Sequence, residues 1–410
     1  MKNEIRIIRA HPRFKPAFVK TGQPVGDENK LYRRLADDTG VKNRYWPSVS
    51  KRRIRISNQV PALAMSRFNL SLLLLLGAAF PALAEWPARV FAPYMYLGSG
   101  DGFKLTDCDD ACGLKYYTLA FIIARQEGSG EEAKYHKEPA WNGRIAMDQN
   151  LYKDQIEAIR KRGGDVIISF GGEGGRELAL VEEDPAALAA SYQAIIDRYG
   201  FSWLDFDIEG SNLERNPEAS QRRNTALAAI QARNPSLILS FTLPVDPDGI
   251  SRASEALLAD AQAKGVKVHS ANLMVMYFGK KFINKGKSEG ELGIDSANKA
   301  YDQIQKIDPT IQIGLCPCLG NNGSKDEVFT LDDAKTLKVF ADKTPWICSL
   351  HYWSINGDSG RPRRRGPESS STGTNSAAVV LTNNNPAAVT EIRRVPWAFA
   401  NIFKSFTTVR

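Results

Sequence analysis

The sequence predicts an α/β fold, a (β/α)8 TIM barrel in a single domain, and two observations predict it. From residue 90 onward, eight short apolar runs recur along the chain, with amphipathic stretches between most of them. The runs are continuous rather than alternating, as in parallel strands buried on both faces. Eight such strands with helices between them suit a closed barrel. An open doubly wound sheet usually has fewer strands and a phosphate loop after the first, and no such loop follows Tyr96.

In chain order the strands are expected at 90–96, 116–124, 165–170, 203–208, 237–243, 272–278, 312–318 and 347–353. Helical patterns fill the gaps. The first, 151–162, stops at Gly163-Gly164. The second takes Asp184 as its N-cap and Pro185 at the first helical position, where a missing N–H costs nothing, and ends at Gly200. Others are expected at 221–233 before Asn234-Pro235, 251–264 before Gly265, 297–307 before Asp308-Pro309, and 331–340 with Thr330 as cap. A short piece at 396–403 closes the chain. The segment 359–385, rich in Ser, Arg, Pro and Asn, reads as a long exposed loop. No internal repeat and no second folded module are visible.

The chain carries a formal charge of +8, which by itself would suggest nucleic acid or an acidic membrane surface. Its distribution removes that inference. Residues 1–64 hold 15 Lys and Arg against 5 Asp and Glu, and the remainder holds 39 against 41. The basic excess belongs to the leader, so no nucleic-acid partner is expected. Residues 65–84 read as a secretory signal peptide. One positive charge at Arg67 precedes an apolar core at 70–80, Pro81 breaks it, and Ala82-Leu83-Ala84 offers small residues at the cleavage site. The apolar run is too short to span a bilayer comfortably. Met65 is therefore expected to be the true start, with 1–64 an untranslated or disordered leader. The mature chain, 85–410, is expected to be secreted, extracellular or periplasmic, with no membrane span after signal removal.

Export permits disulfides. Of the five cysteines, Cys108 and Cys112 are close enough to pair locally, Cys348 could meet Cys316 or Cys318, and one thiol is left over. No histidine accompanies them at metal-ligand spacing, so no zinc site and no cofactor are expected.

The chemistry is concentrated in Trp203-Leu204-Asp205-Phe206-Asp207-Ile208-Glu209. On a strand, alternate side chains share a face. The three acids therefore point into the barrel, at steps of ~6–7 Å, with Glu209 nearest the C-terminal mouth where barrels carry their active sites. Burying three carboxylates costs several kcal/mol unless protons are shared or partners supplied. Either proton sharing, as in acid catalysis, or a hard divalent cation would meet that need.

This run resembles the catalytic strand of the family 18 glycoside hydrolases, the chitinases, with its Asp-x-x-Asp-x-Asp-x-Glu pattern. Other strands agree in order: Ser169-Phe170-Gly171-Gly172 on strand three, Met274-x-Met276 at strand six, and Trp353 at the end of strand eight. The resemblance covers nearly all of 90–406. It implies a retaining mechanism in which the substrate's own 2-acetamido group is the nucleophile. Glu209 would protonate the glycosidic oxygen, Asp207 would orient the acetamido group, and Asp205 would share a proton with Asp207. Trp353 would floor the sugar site, with Met276, Ser169, Gly171 and Gly172 lining it. Two positions depart from the pattern. Ser202 stands for the first aspartate, which implies an altered proton-sharing network. Met276-Tyr277-Phe278 lacks the acid of strand six, and Tyr277 is the candidate to supply the missing hydroxyl. The expected function is hydrolysis of β-1,4-linked N-acetylglucosamine polymers by a monomer, without metal. Residues 319–345 leave no room for an inserted domain, which implies an open groove and endo-type cleavage. The alternatives are an endo-β-N-acetylglucosaminidase and a catalytically weakened chitin-binding barrel.

Overall fold

The computed structural model describes residues 86–97, 104–283, 286–324, 326–360 and 395–408. The expected leader, the signal peptide and nearly all of the loop at 359–385 lie outside the described residues. Within them a parallel barrel closes, as the apolar runs predict. Tyr116–Glu127, Asp165–Gly171, Trp203–Asp207, Ile238–Asp246, Ser270–Met274, Gln312–Leu315 and Ile347–Leu350 pair in that order, all parallel. The first barrel strand completes the circle in two pieces. Val90–Phe91 pairs with the eighth strand and Tyr94–Tyr96 with the second. Pro93, which has no N–H to give a ladder, stands at the break between them.

The barrel is layered. Its outward face packs under the helices in one large apolar cluster, where Phe170 and Phe206 stack at 5.1 Å. Inside, the N-terminal floor is apolar: Val90, Ala92, Ile167 and Trp203, with Trp86 against them. The C-terminal end carries a second small apolar group: Tyr94, Ala120 and Cys316 with Phe121, Met276 and Trp353. Between floor and mouth lies a polar layer in which Asp205, Ser169, Ser240, Thr242, Asn272 and Ser349 are all buried.

The helices follow their caps. Asp184 accepts from the N–H of Ala186 and Pro185–Tyr199 ends at Gly200 with φ +65°. Ser251 caps Arg252–Ala263. Thr330 and Asp333 form a reciprocal capping box at the head of Leu331–Lys343. Some bounds differ from expectation. The sixth strand starts at Ser270 and stops at Met274, so residues 275–278 are loop. The helix expected from 297 starts at Glu289, behind a capping box of Ser288 and Glu291.

Two features are absent from the sequence reading. The second strand runs on to Glu127 and turns back as Lys134–Trp141, an antiparallel wall beside the barrel mouth. A helix, Leu105–Cys112, follows the first strand. It places Cys108 and Cys112 on its inward face, one turn apart, and the Cys112 thiol donates to the Cys108 carbonyl. The expected bridges are not formed: all five cysteines are buried thiols. Burial lifts Cys112 and Cys348 to about 11, so both stay protonated at neutral pH. No helix among the described residues is long and apolar enough to cross a membrane.

Candidate active site

Parallel register builds the site. Asp205 pairs across the sheet with Ser169 on one side and Ser240 on the other, and Asp207 with Gly171 and Thr242. Thr242 pairs with Asn272, Asn272 with Gly314, and Gly314 with Ser349. Polar side chains at matching levels therefore converge on the axis. Asp205 accepts from Ser240 at 2.7 Å, Ser169 and Tyr94 at 2.8 Å, Thr242 at 3.0 Å and Asn272 at 3.1 Å. The Asn272 amide is oriented in turn by the hydroxyls of Ser270 and Ser349, which donate to its oxygen. Gly314 leaves the room, because a Cβ there would stand 2.2 Å from the Asn272 oxygen. Burial raises the Asp205 carboxyl, and its hydroxyl donors hold it back. With five donors on its two oxygens, it has no lone pair to spare for a cation. Among the described residues no three of His, Cys, Asp and Glu are grouped to hold a metal ion.

Asp207 stands one step nearer the mouth, in a different environment. One carboxylate oxygen, Oδ1, is buried with no hydrogen-bond partner. Burial, then the charges of Glu209 and Asp205, push its carboxyl well above the ordinary range. Its hydrogen bond runs outward to Glu209, while the bonds of Asp205 run to the five donors. Burial and the two neighbouring charges thus favour the protonated form of Asp207.

Glu209 follows the strand and opens the short helix Gly210–Glu214. Burial and the neighbouring Glu173 lift its carboxyl to about 7. A group with that value can both give and take a proton near neutral pH. Glu173 sits on the loop after the third strand, and this loop is tied down on its C-terminal side. The Gly175 carbonyl accepts from the Asn212 amide at 3.0 Å, and the Arg176 carbonyl accepts from the N–H of Ala124 at 2.9 Å. Beneath it Glu177 forms a fully buried pair with Arg223 at 2.8 Å and accepts from Tyr192.

The glycines are demanded by proximity. Gly171 has φ +103°, and a Cβ there would meet the Asp207 carbonyl at 2.2 Å. Gly172 has φ +83°, and its Cβ would strike the Phe121 ring at 2.6 Å. Trp353 is half-buried and stacks on Phe121 at 5.6 Å, with Tyr94 and Tyr96 edge-on at 5.9 and 6.0 Å. Met276 packs against the same group.

Several expected roles shift. Ser169 is fully buried and spends its hydroxyl on Asp205, so it positions an acid and does not line the cleft. Ser202 accepts from the Trp86 indole at 2.9 Å at the opposite end of the strand, outside the proton network it was expected to alter. The Tyr277 hydroxyl accepts from the Cys318 thiol at 3.8 Å and keeps its own proton to donate, as its expected role requires. Sequence reasoning missed Tyr94, Ser240, Thr242, Asn272, Phe121 and Glu173. The signal for the polar members was present: hydroxyls and an amide at alternate positions of otherwise apolar strands.

No family model matches the chain. Among curated proteins, a probable bifunctional chitinase/lysozyme of Escherichia coli is 28% identical over 295 residues, 67% of this chain and 31% of that protein. Endochitinase 11 of Metarhizium anisopliae is 27% identical over 295 residues, again 67% of this chain and 53% of its own length. The chain thus matches about a third and about half of these relatives. Among solved structures, the catalytic domain of a hyperthermophilic chitinase from Pyrococcus furiosus is 30% identical, with a TM-score of 0.61, and the match covers 80% of this chain and 97% of that domain.

Proposed function

The chain belongs to the chitinases of glycoside hydrolase family 18, and from that premise we propose that it hydrolyses β-1,4 links between N-acetylglucosamine units with retention, the substrate's acetamido group acting as nucleophile. The observation that carries the reading is the contrast along one strand. Glu209 is poised at about 7, while Asp207 keeps a proton and an unpartnered buried oxygen. That oxygen is an acceptor waiting for an N–H, which an N-acetylated sugar supplies and a glucose unit does not.

In the proposed sequence Glu209 gives its proton to the glycosidic oxygen as the bond to the anomeric carbon breaks. The acetamido carbonyl oxygen closes on that carbon from the other face, while Asp207 accepts a hydrogen bond from the acetamido N–H. Glu209, now a carboxylate, takes a proton from water. The water oxygen bonds to the anomeric carbon and reopens the ring, so two inversions give net retention. Asp205, held by its five donors, fixes the strand and keeps negative charge behind Asp207. Trp353 on Phe121 offers a flat apolar surface to the sugar.

The protein of Pyrococcus furiosus has also been solved as catalytic-site mutants complexed with chito-oligosaccharides, which supports the same substrate class here. Export behind the signal at 65–84, action as a monomer and endo-type cleavage belong to this proposal. For the last, the described residues between the seventh and eighth strands form a hairpin of two two-residue strands, Gly320–Asn321 and Val328–Phe329, and the helix Leu331–Lys343.

The test is to incubate the protein with chitohexaose, cellohexaose and a high-mannose glycoprotein. Internal cleavage of chitohexaose with the β-anomer formed first is expected, with cellohexaose untouched. Cleavage of cellohexaose would exclude a substrate-supplied nucleophile. Preferential release of the glycan would favour the glycosidase reading. Binding without turnover would favour the weakened barrel, for which Tyr277 in place of an acid is the supporting observation.

A further inference from the structure

One carboxylate at the barrel mouth has no part in the proposed bond cleavage. Glu173 follows Gly171 and Gly172, and register sets it beside Glu209. Gly171 pairs with Asp207, and the Gly172 N–H donates to the Asp207 carbonyl at 2.9 Å. Two residues beyond that pair, on the two neighbouring chains, stand Glu173 and Glu209. The Glu173 backbone N–H faces the Glu209 carboxyl. Further on, the Gly175 carbonyl accepts from the Asn212 amide at 3.0 Å, so the chain is pinned on either side of Glu173. The Glu173 side chain is exposed, while Glu209 is partly covered, and it makes no ion pair or hydrogen bond with a described residue. There is room around it: a Cβ on Gly174 would meet nothing within 4 Å. Arg176, the nearest cation in sequence, is taken up on the Tyr135 ring at 4.8 Å. The Glu173 charge is felt at both Glu209 and Tyr277, so it borders the cleft.

An open, unpaired carboxylate on a fixed backbone recognises a cation. The reacting sugar must keep its acetamido group, because that group is the nucleophile. Glu209 reaches the oxygen that joins this sugar to the unit on the leaving side. A carboxylate beside Glu209 and more exposed than it therefore borders the leaving unit. In partly deacetylated chitin that unit can carry an ammonium where the acetamide stood. We propose that Glu173 is a specificity residue that favours glucosamine, as its ammonium, on the leaving side of the bond, so that N-acetylglucosamine–glucosamine links are cut preferentially. The proposal rests on the chitinase reading for the reaction, while the preference itself is a property of binding.

The experiment is digestion of a partly acetylated chitosan at about pH 5.5, where an amino sugar carries its proton, with both new chain ends identified. New non-reducing ends should be glucosamine about two- to fivefold more often than the polymer's composition supplies it, the range of an exposed ion pair. Glu173→Gln should abolish the enrichment with an unchanged thermal midpoint. Glu173→Asp should keep part of it, and added salt should lower it in the parent. Enrichment that survives Glu173→Gln, or that is absent from the parent, would overturn the proposal. New reducing ends of glucosamine would instead overturn the substrate-supplied nucleophile, and the other ends would still report on Glu173. If no bond is cut, the hydrolase reading falls and calorimetric titration decides the preference. Partly deacetylated chitohexaose should then bind more tightly than chitohexaose, and Glu173→Gln should remove the difference. Equal affinities in the parent would overturn the proposal.

Discussion

Glu209 and Glu289 are both carboxyls lifted chiefly by burial, the first to about 7 and the second to about 8, and each is pushed further by neighbouring acids. Their surroundings differ in what they offer a substrate. Glu209 stands at the open end of a barrel strand, beside the hydrogen-bonded Asp207 and the aromatic floor. Glu289 lies in the first turn of a helix, 4% exposed, with both oxygens unpartnered and Glu327 and Asp333 as its charged neighbours. A raised carboxyl is therefore necessary for an acid catalyst and insufficient to identify one. Access, and a neighbour placed to read the substrate, set the proposed catalyst Glu209 apart.

The comparison breaks most sharply in turnover. Glu209→Gln keeps shape and removes the transferable proton, so kcat should fall by about 10²–10⁴ while the thermal midpoint moves little. Glu289→Gln should leave kcat unaltered, and if it lost turnover to the same degree the contrast would be void.

Stability should respond in the opposite sense. Glu289 carries a folded-state value raised to about 8, above its unfolded one. Its contribution is present in acid and is lost as pH climbs from the ordinary carboxylate range through about 8. Glu289→Gln removes that dependence. At pH 9 its thermal midpoint should exceed the parent's by a few degrees, roughly 2–4 °C per kcal/mol recovered, and at pH 5 the two should nearly coincide. A thermal melt series across pH decides it. A gain as large at pH 5 would mean that the glutamate is strained by shape rather than by charge.

A smaller effect sharpens the description of Glu209. In the proposed mechanism its acid form is the active one, so kcat/KM should decline as pH rises through its value near 7. The charge of Glu173 raises that value. Glu173→Gln should therefore move the alkaline limb to lower pH, by less at high salt because Glu173 is exposed and screened. A shift toward higher pH would contradict the electrostatic account.

The smallest effect is expected at Ser202. Replacing it by Ala removes the bond from the Trp86 indole and should cost about 1 kcal/mol in stability, with the pH profile of turnover unchanged. An altered profile would put the residue back into the proton network.

The eight strands were legible because burial on both faces writes itself as uninterrupted apolar runs, which need no knowledge of the partner strand. The three acids on one face were legible for a similar reason: alternation along a strand is a local property of the backbone. Helix starts at Asp184, Ser251 and Thr330 were readable from the caps. The start at Ser288 was obscured by Gly290 and Gly293, which read as breakers in sequence. In the structure Gly290 lies against Asp333 and Gly293 against Val275 and Leu337, where a side chain would crowd its neighbours. The helix Leu105–Cys112 and the wall Lys134–Trp141 were missed. An acidic, cysteine-bearing segment and a charged one carry little periodicity until a core and a strand edge are supplied.

Sequence alone determined which residues could do the chemistry: an acidic strand ending at Glu209, a glycine pair before it in the chain, and a tryptophan after it. It could not apportion the protons. Whether Asp205 is charged, and where Asp207 turns, depends on Tyr94, Ser169, Ser240, Thr242 and Asn272, which come from four different barrel strands and meet only through register. The same holds for the cysteines, whose spacing suggested bridges, while the fold gave each thiol a buried place of its own. Local periodicity follows from the backbone of one segment. Protonation follows from the distances and desolvation among segments far apart in the chain, and those exist only after the barrel has closed.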